Sequence, residues 1–172
     1  MHGFAGTPDG AGPAAPPLQD ADSNLYGSTM AGGNPKACPN SPGCGTIWKQ
    51  TASRRGKVLH SFAFYSHPRD GQSPISPLVL DEPTRTLYGS TYYGGTGTIC
   101  GGFGGSCGTV FSIDTLGDNY QVLWEFPKGG PANPSGQLVF YNGALFGVSY
   151  DGGQKCSDQH YIGCGTVWKL TP

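Results

Sequence analysis

Six cysteines are the residues best placed for chemistry, and they fall in three pairs. These are Cys38 and Cys44, Cys100 and Cys107, and Cys156 and Cys164. Each pair lies in the loop between the same two apolar segments of a repeated unit. Six cysteines allow many connectivities, but this repetition favours local pairing within each loop. We therefore predict three local disulfides, which are typical of an oxidising, extracellular setting.

Metal binding is the alternative chemistry for the last pair. Cys156, His160 and Cys164 could offer three ligands, but the other two loops contain no histidine. Zinc sites also favour tighter cysteine spacing. Asp9-Gly10 and Asp70-Gly71 recur, but the third unit has Gly129-Gly130 at the equivalent place, which argues against a repeated Ca²⁺ site. We expect neither a metal nor a cofactor.

Catalytic groups do not form a recognisable constellation in the sequence. The histidines do not occupy equivalent places in the repeats; they are His2, His60, His67 and His160. The single Gly-x-Ser-x-Gly match, from Gly104 to Gly108, precedes a predicted strand and not the helix that a nucleophile elbow requires. The carboxylates could include a glycosidase pair, but their surroundings are those of turns. We therefore predict that the protein has no catalytic residue and is not an enzyme.

Aromatic side chains on loops are the stronger candidates for a binding function. They are Tyr92, Tyr93, Phe103, Tyr150 and Tyr161. Rings on rigid loops suit flat ligands such as sugar rings, or a protein partner. Packing between neighbouring units is the other explanation, above all for Tyr92 and Tyr150. A carbohydrate-binding module that uses these loops is the alternative function, with a glycan as its partner.

The cysteines and aromatics belong to a unit that occurs three times. Leu25, Leu87 and Leu145 each begin a Leu-Tyr/Phe-Gly segment, and a Gly-Thr-Ile/Val-Trp/Phe segment follows the cysteine loop. The leucines are 62 and 58 residues apart. A period of about 60 residues indicates a modular β architecture. Because 30 Gly and 15 Pro interrupt the chain, helices are nearly excluded and the predicted fold class is all-β.

Each unit predicts four short strands. The second strand has a glycine at its centre, which indicates that a ring or another backbone packs close. The fourth strand is predicted over 57–64 in the first unit and 120–126 in the second. The units span about 7–64, 69–126 and 129–172 of a single domain, and the third stops before its fourth strand.

The N-terminal segment offers the strand that the third unit lacks. Phe4 precedes an Asp-Gly loop, as Phe64 does, and Phe126 precedes a Gly-Gly loop. Phe4 therefore resembles the end of a strand. We predict that residues 1–6, with His2 and Phe4, complete the last unit of the same chain or of a neighbour. The alternative is a longer protein cut at arbitrary points.

The unit resembles the GloVer (Gloeobacter/Verrucomicrobia-type) tandem repeat. The resemblance rests on Leu-Tyr-Gly-Ser-Thr-x-x-Gly-Gly, then Cys-Gly-Thr-Val-Phe/Trp-Lys-Leu-Thr-Pro, Val-Leu-x-x-Phe and an Asp-Gly loop, and covers almost the whole chain from Gly6. It implies a propeller-like fold in an exported bacterial protein, and it assigns no activity and no functional residues. The paired cysteines and the small number of units depart from the family pattern.

Three four-stranded blades are too few for an ordinary closed propeller. Two chains could combine into a six-bladed ring, or strand donation from chain to chain could build a filament. Alternatively, three units could pack around a three-fold axis like a β-trefoil or β-prism.

Composition argues against two classes of partner. Only 12% of the residues are charged and the net charge is −1, so the chain lacks the basic stripe that nucleic acid requires. No apolar run is long enough for membrane insertion, and residues 1–20 lack a signal-peptide pattern. We expect a non-enzymatic structural or adhesive module, secreted or on the cell surface, that forms a homo-oligomer or a polymer.

Overall fold

The computed structural model describes residues 2–38, 42–64, 70–96, 106–127, 130–154 and 163–172. The predicted all-β fold class is confirmed, because every regular element within these ranges is a strand. The strands are β1 (Leu18–Gln19), β2 (Leu25–Thr29), β3 (Thr46–Gln50), β4 (Gly56–Ser61), β5 (Gly71–Gln72), β6 (Val79–Asp81), β7 (Thr86–Thr91), β8 (Tyr93–Gly94), β9 (Thr109–Asp114), β10 (Gln121–Glu125), β11 (Ala132–Tyr141), β12 (Ala144–Asp151) and β13 (Thr166–Leu170).

Most of these strands form three antiparallel sheets, which we call sheets 1, 2 and 3. Sheet 1 has the order β1-β2-β3-β4, and sheet 2 has the order β6-β7-β9-β10. Sheet 3 has the order β11-β12-β13, and the two-residue strands β5 and β8 pair separately. Within the described ranges none of the sheets closes into a barrel, so each sheet must be covered by its neighbours.

The three sheets share one register at their central strands. The glycine of each second strand lies opposite an aromatic residue of the third: Gly27 opposite Trp48, Gly89 opposite Phe111, and Gly147 opposite Trp168. A Cβ atom added at any of these glycines would collide with the facing ring. Because only glycine leaves room for the ring, the close approach that the sequence predicts is confirmed.

Two apolar layers hold the sheets together. Tyr26 and Ile47 of sheet 1 share one buried cluster with Phe111 of sheet 2. Val110 of sheet 2 shares the other with Leu145 of sheet 3. Alternate residues of a strand point to opposite faces. Sheet 2 therefore presents one face to sheet 1 and the other face to sheet 3.

The ends of the fourth strands differ from the sequence prediction. β4 ends at Ser61, before the predicted end at Phe64, and β10 ends just before Phe126. In sheet 1 the reason is a side chain: a carboxylate oxygen of Asp70 accepts the N–H of Ala63 at 2.9 Å. That backbone group bonds the carboxylate instead of continuing the ladder, so the strand stops.

Candidate functional site

The N-terminal segment packs on sheet 1 through His2 and Phe4, the two residues predicted to act in assembly. Nε2 of His2 lies 3.1 Å from a carboxylate oxygen of Asp9. Asp9 also accepts the N–H of Ala5 at 3.0 Å. The Phe4 ring centroid lies 4.9 Å from that of His2 and 5.7 Å from that of Trp48. Residues 2–5 form no strand, and these contacts position them against β3.

The contact of Phe4 with Trp48 is repeated between the sheets. Phe62 lies 5.4 Å from Phe111, and Phe126 lies 5.4 Å from Trp168. Phe62 and Phe126 directly follow β4 and β10, and their N–H groups bond glycine carbonyls at 3.0 and 3.1 Å. The counterpart of Phe4 in sheet 1 is therefore Phe62, and the sequence-based match of Phe4 with Phe64 is corrected.

A pocket of about 390 Å³ lies beside Phe4 on the exposed side of sheet 1. Phe4, Trp48 and Val58 form its apolar walls, and its polar lining includes His2, Asp9, Lys49, Gln50 and Lys57. We call Phe4, Trp48 and Val58 the socket of sheet 1. The sequence alone did not point to it, because it depends on the N-terminal segment folding over β3.

Sheet 3 exposes a set of apolar side chains on the side opposite Trp168. They are Val139, Tyr141, Val148 and Val167, which we call the outer face of sheet 3. Val148 and Val167 lie directly opposite each other on β12 and β13. Val139 lies opposite Phe146 of β12, and Phe146 is two residues from Val148. Because side chains two residues apart in a strand point to the same side, Val139 and Tyr141 lie on the same side of the sheet as Val148.

The counterparts of the outer face are buried in the other two sheets. Val167 is 82% exposed, whereas Ile47 in sheet 1 and Val110 in sheet 2 are each 0% exposed. At the position of Val148, which is 42% exposed, sheets 1 and 2 have Ser28 and Ser90, each 2% exposed. Sequence reasoning missed this face. Its signal was the change from serine to valine in the third copy.

The outer edge of β13 is a second feature that distinguishes sheet 3. β3 and β9 are each paired on both sides, whereas β13 pairs only with β12 among the described strands. In the same strand, Oγ1 of Thr166 is buried and has no hydrogen-bond partner in the described structure. The corresponding Thr46 bonds Thr29 at 2.8 Å in sheet 1. Ser149 takes the place of Thr29 and accepts Nε1–H of Trp168 instead, at 3.1 Å.

One of the predicted disulfides is present between described residues. Cys38 and Cys44 are bonded, with their Cα atoms 5.5 Å apart, and both are fully buried. Cys107 and Cys164 are disulfide-bonded as well. Their predicted partners, Cys100 and Cys156, lie outside the described residues. A disulfide is consistent with an extracellular protein.

The aromatic residues that were predicted to bind a ligand differ in their surroundings where the structure describes them. Tyr92 and Tyr93 pack edge to face, 4.8 Å between centroids, and burial raises the pKa of Tyr92. The carbonyl of Tyr92 accepts Nδ2–H of Asn133 at 2.9 Å, which ties sheet 2 to the start of β11. Tyr150 is 51% exposed on β12. The remaining candidates, Phe103 and Tyr161, lie outside the described residues.

A polar cluster that sequence reasoning missed joins sheets 1 and 2. Asp70 is buried, and its carboxylate lies 3.1 Å from Nε2 of His60 and accepts the Tyr120 hydroxyl at 2.7 Å. The His60 and Tyr120 rings stack at 3.7 Å. Burial raises the pKa of Tyr120, and the charge of Asp70 adds to this. Burial alone would raise the pKa of Asp70, but hydrogen bonds from His60 and Tyr120 hold it below its ordinary value. His60 and Tyr120 both bond Asp70 and stack on each other, so the cluster stabilises the contact between the sheets.

Two features are absent from the described residues. These residues contain no group of three or more His, Cys, Asp or Glu side chains that could hold a metal ion. Nor do they contain a helix of the length and hydropathy needed to cross a membrane.

Comparison with known proteins gives one match over the full length. The Gloeobacter/Verrucomicrobia repeat family model matches residues 1–172. No curated protein matches the chain. A chain of the nidogen/laminin complex is similar at 14% identity and a TM-score of 0.48, over 76% of this chain and 36% of that chain. A luciferin-regenerating enzyme is similar at 15% identity and a TM-score of 0.40, over 91% of this chain and 60% of that chain. This chain therefore spans less than two thirds of either structure.

Proposed function

This chain belongs to the Gloeobacter/Verrucomicrobia repeat family, and we propose that it is a non-enzymatic, extracellular structural module that assembles by strand donation. In this proposal sheets 1, 2 and 3 are blades of a propeller-like array, and sheet 3 takes its fourth strand from another copy. The antiparallel four-stranded order of sheets 1 and 2 supports the comparison with blades. The buried disulfide between Cys38 and Cys44 supports an extracellular location.

The observation that carries the proposal is the outer edge of β13. In sheets 1 and 2 the third strand is covered by a fourth, β4 on β3 and β10 on β9. Sheet 3 has no such strand among the described residues. An edge strand presents backbone N–H and C=O groups to any extended segment that can pair with them. Addition of a strand from another chain is a common way to satisfy them.

The segment before Phe4 is the donor that fits this edge. Phe62 and Phe126 follow the fourth strands and then cover the aromatic residue of the next sheet. Phe4 covers Trp48 in the same manner. In the equivalent pairing of sheet 2, Glu125 lies opposite Thr109. By analogy, Gly3 of one copy would lie opposite Thr166 of the next.

Removal of residues 1–3 tests strand donation, because the shortened chain keeps Phe4 on Trp48 and loses only the pairing segment. We expect the full chain to form oligomers or filaments in light scattering and negative-stain images. The chain that begins Met-Phe4 should remain monomeric at the same concentration. His2→Ala is the matched control, since it removes the contact with Asp9 but keeps the backbone. Assembly of the shortened chain to the same extent as the full chain would show that strand donation is wrong.

A further inference from the structure

The contacts between sheets 1 and 2 and between sheets 2 and 3 follow one pattern. In both, a β-branched residue of the third strand is fully buried, Ile47 in the first contact and Val110 in the second. Ile47 lies in one cluster with Phe111, and Val110 lies in one cluster against which Trp168 packs. The aliphatic side chain of one sheet therefore meets the aromatic face of the next.

The segment that leads into sheet 2 and the start of β11 in sheet 3 complete this pattern. Ser73 donates its N–H to the carbonyl of Cys44 at 2.9 Å, as Asn133 does to the carbonyl of Cys107 at 2.7 Å. Both residues have a left-handed backbone, with φ of 56° and 55°. The proline that follows each of them packs over a glycine of the preceding sheet: Pro74 over Gly45, and Pro134 over Gly108.

Both halves of this interface are also present on sheets 3 and 1, where no other described sheet packs on them. Sheet 3 carries the aliphatic half in Val167, and among the described residues no proline packs over Gly165. Sheet 1 carries the aromatic half in Trp48, beside the pocket of about 390 Å³. Gly12, with φ of 65°, precedes the exposed Pro13 and so repeats the left-handed residue followed by proline.

We propose that the outer face of sheet 3 docks into the socket of sheet 1 of a second copy of this chain. Val167 would fill the pocket between Trp48 and Val58, and Pro13 of the second copy would pack over Gly165. This inference rests on the proposed self-assembly and names the side chains through which it occurs. The partner that docks on this face is a second copy of this chain. Sheet 1 carries the aromatic residue that sheets 2 and 3 use in the contacts within the chain, and the left-handed residue followed by proline precedes it.

The geometry makes this contact head to tail. The two surfaces differ, so each copy keeps one socket and one outer face for further contacts, and such heterologous contacts build rings or filaments. The outer face of sheet 3 is apolar, and exposed apolar patches are typical of protein contacts. A charge introduced on either surface should block only that surface.

Two singly blocked variants test the pairing by sedimentation velocity. Val167→Lys spoils the outer face and leaves the socket intact, whereas Val58→Lys spoils the socket and leaves the outer face intact. We expect each variant alone to be monomeric at a concentration at which the native chain assembles. An equal mixture of the two should form a heterodimer of twice the monomer mass and nothing larger. Leu116→Lys, at an exposed apolar position in the β9–β10 turn, is the matched control and should assemble like the native chain.

The outcomes separate this interface from self-assembly in general. If Val58→Lys still assembles, or if the mixture stays monomeric, the socket is not the docking site, while self-assembly itself stands. If the native chain is monomeric at every concentration, the proposed function fails and the interface fails with it. Gln50→Lys, which also lines the pocket, replaces Val58→Lys if that variant loses the native circular dichroism spectrum.

Discussion

Asp70 is the residue at which the structure depends most clearly on one charge. Its buried carboxylate receives N–H groups from Ala63 and Gly71 at 2.9 and 2.8 Å, in addition to its contacts with His60 and Tyr120. A buried carboxylate is tolerated only when such partners satisfy it. Because Tyr120 belongs to the loop before β10, this side chain links sheet 2 to the end of β4.

We expect Asp70→Asn to lower the free energy of unfolding by about 2 kcal/mol at neutral pH, because the amide places a donor against buried N–H groups. The folded-state pKa of Asp70 is lowered from the ordinary value of 3.8. The stabilisation that the Asp70 carboxylate provides is therefore fully present at pH values above 3.8. It is lost as the pH falls through the lower pKa that Asp70 has in the folded state. Urea unfolding of both proteins at neutral pH and at about pH 2 measures this difference.

The control for Asp70 is Asp118→Asn, an exposed aspartate in the β9–β10 turn. A surface change of this kind should alter the unfolding free energy by less than about 0.5 kcal/mol. A loss for Asp70→Asn that is equally large at both pH values would show that the charge of the carboxylate is not what stabilises the fold.

At the residue scale, the sequence predicts local partners and misses distant ones. The bond between Cys38 and Cys44 could be predicted because the two residues share one short loop. The partners of Asp70 could not, since Tyr120 is 50 residues away in the sequence. The structural role of His60 could not be predicted from the sequence either. It depends on the packing of sheet 1 against sheet 2, and the spacing of the histidines along the chain does not indicate that packing.

At the scale of the strand, the central glycine of β7 is a position with no room for a side chain. A Cβ atom at Gly89 would collide with the Phe111 ring and lie 2.8 Å from a methyl group of Leu78. We expect Gly89→Ala to lower the free energy of unfolding by about 2 kcal/mol, because overpacking a tight core forces its neighbours to move. Urea unfolding measures the change.

Gly3→Ala is the control for Gly89→Ala, since its Cβ would meet nothing within 4 Å. Equal stability of the two variants would show that β7 and β9 can separate freely.

Strand centres were therefore easier to predict than strand ends. The repeated Leu-Tyr/Phe-Gly segments gave β2, β7 and β12, and the requirement for glycine under a ring could be read from them. The small β5–β8 pair was not predicted, nor was the extension of β11 back to Ala132. Both depend on hydrogen bonds between residues about 20 positions apart, such as Gly71 with Gly94, which no local pattern indicates.

At the scale of the molecule, the three larger sheets of the described residues share buried apolar clusters, sheet 1 with sheet 2 and sheet 2 with sheet 3. Sheet 2 is covered on both sides, whereas sheet 1 keeps a pocket and sheet 3 keeps an exposed apolar face. The repeat predicted that the units are alike. It could not predict which faces remain uncovered, because exposure depends on the order in which the sheets stack.

This arrangement predicts that stability depends on protein concentration. If a second copy covers Val167, association stabilises only the folded chain, by about 2.7 kcal/mol when the free concentration is roughly a hundred times the dissociation constant. For a domain of this size that gain raises the unfolding temperature by roughly 5–10 °C. The measurement is calorimetry of the oxidised protein over a hundredfold range of concentration. The unfolding temperature should rise with concentration for the native chain and for Leu116→Lys, and it should stay constant for Val167→Lys. A parallel rise in all three proteins would mean that the outer face of sheet 3 takes no part in association.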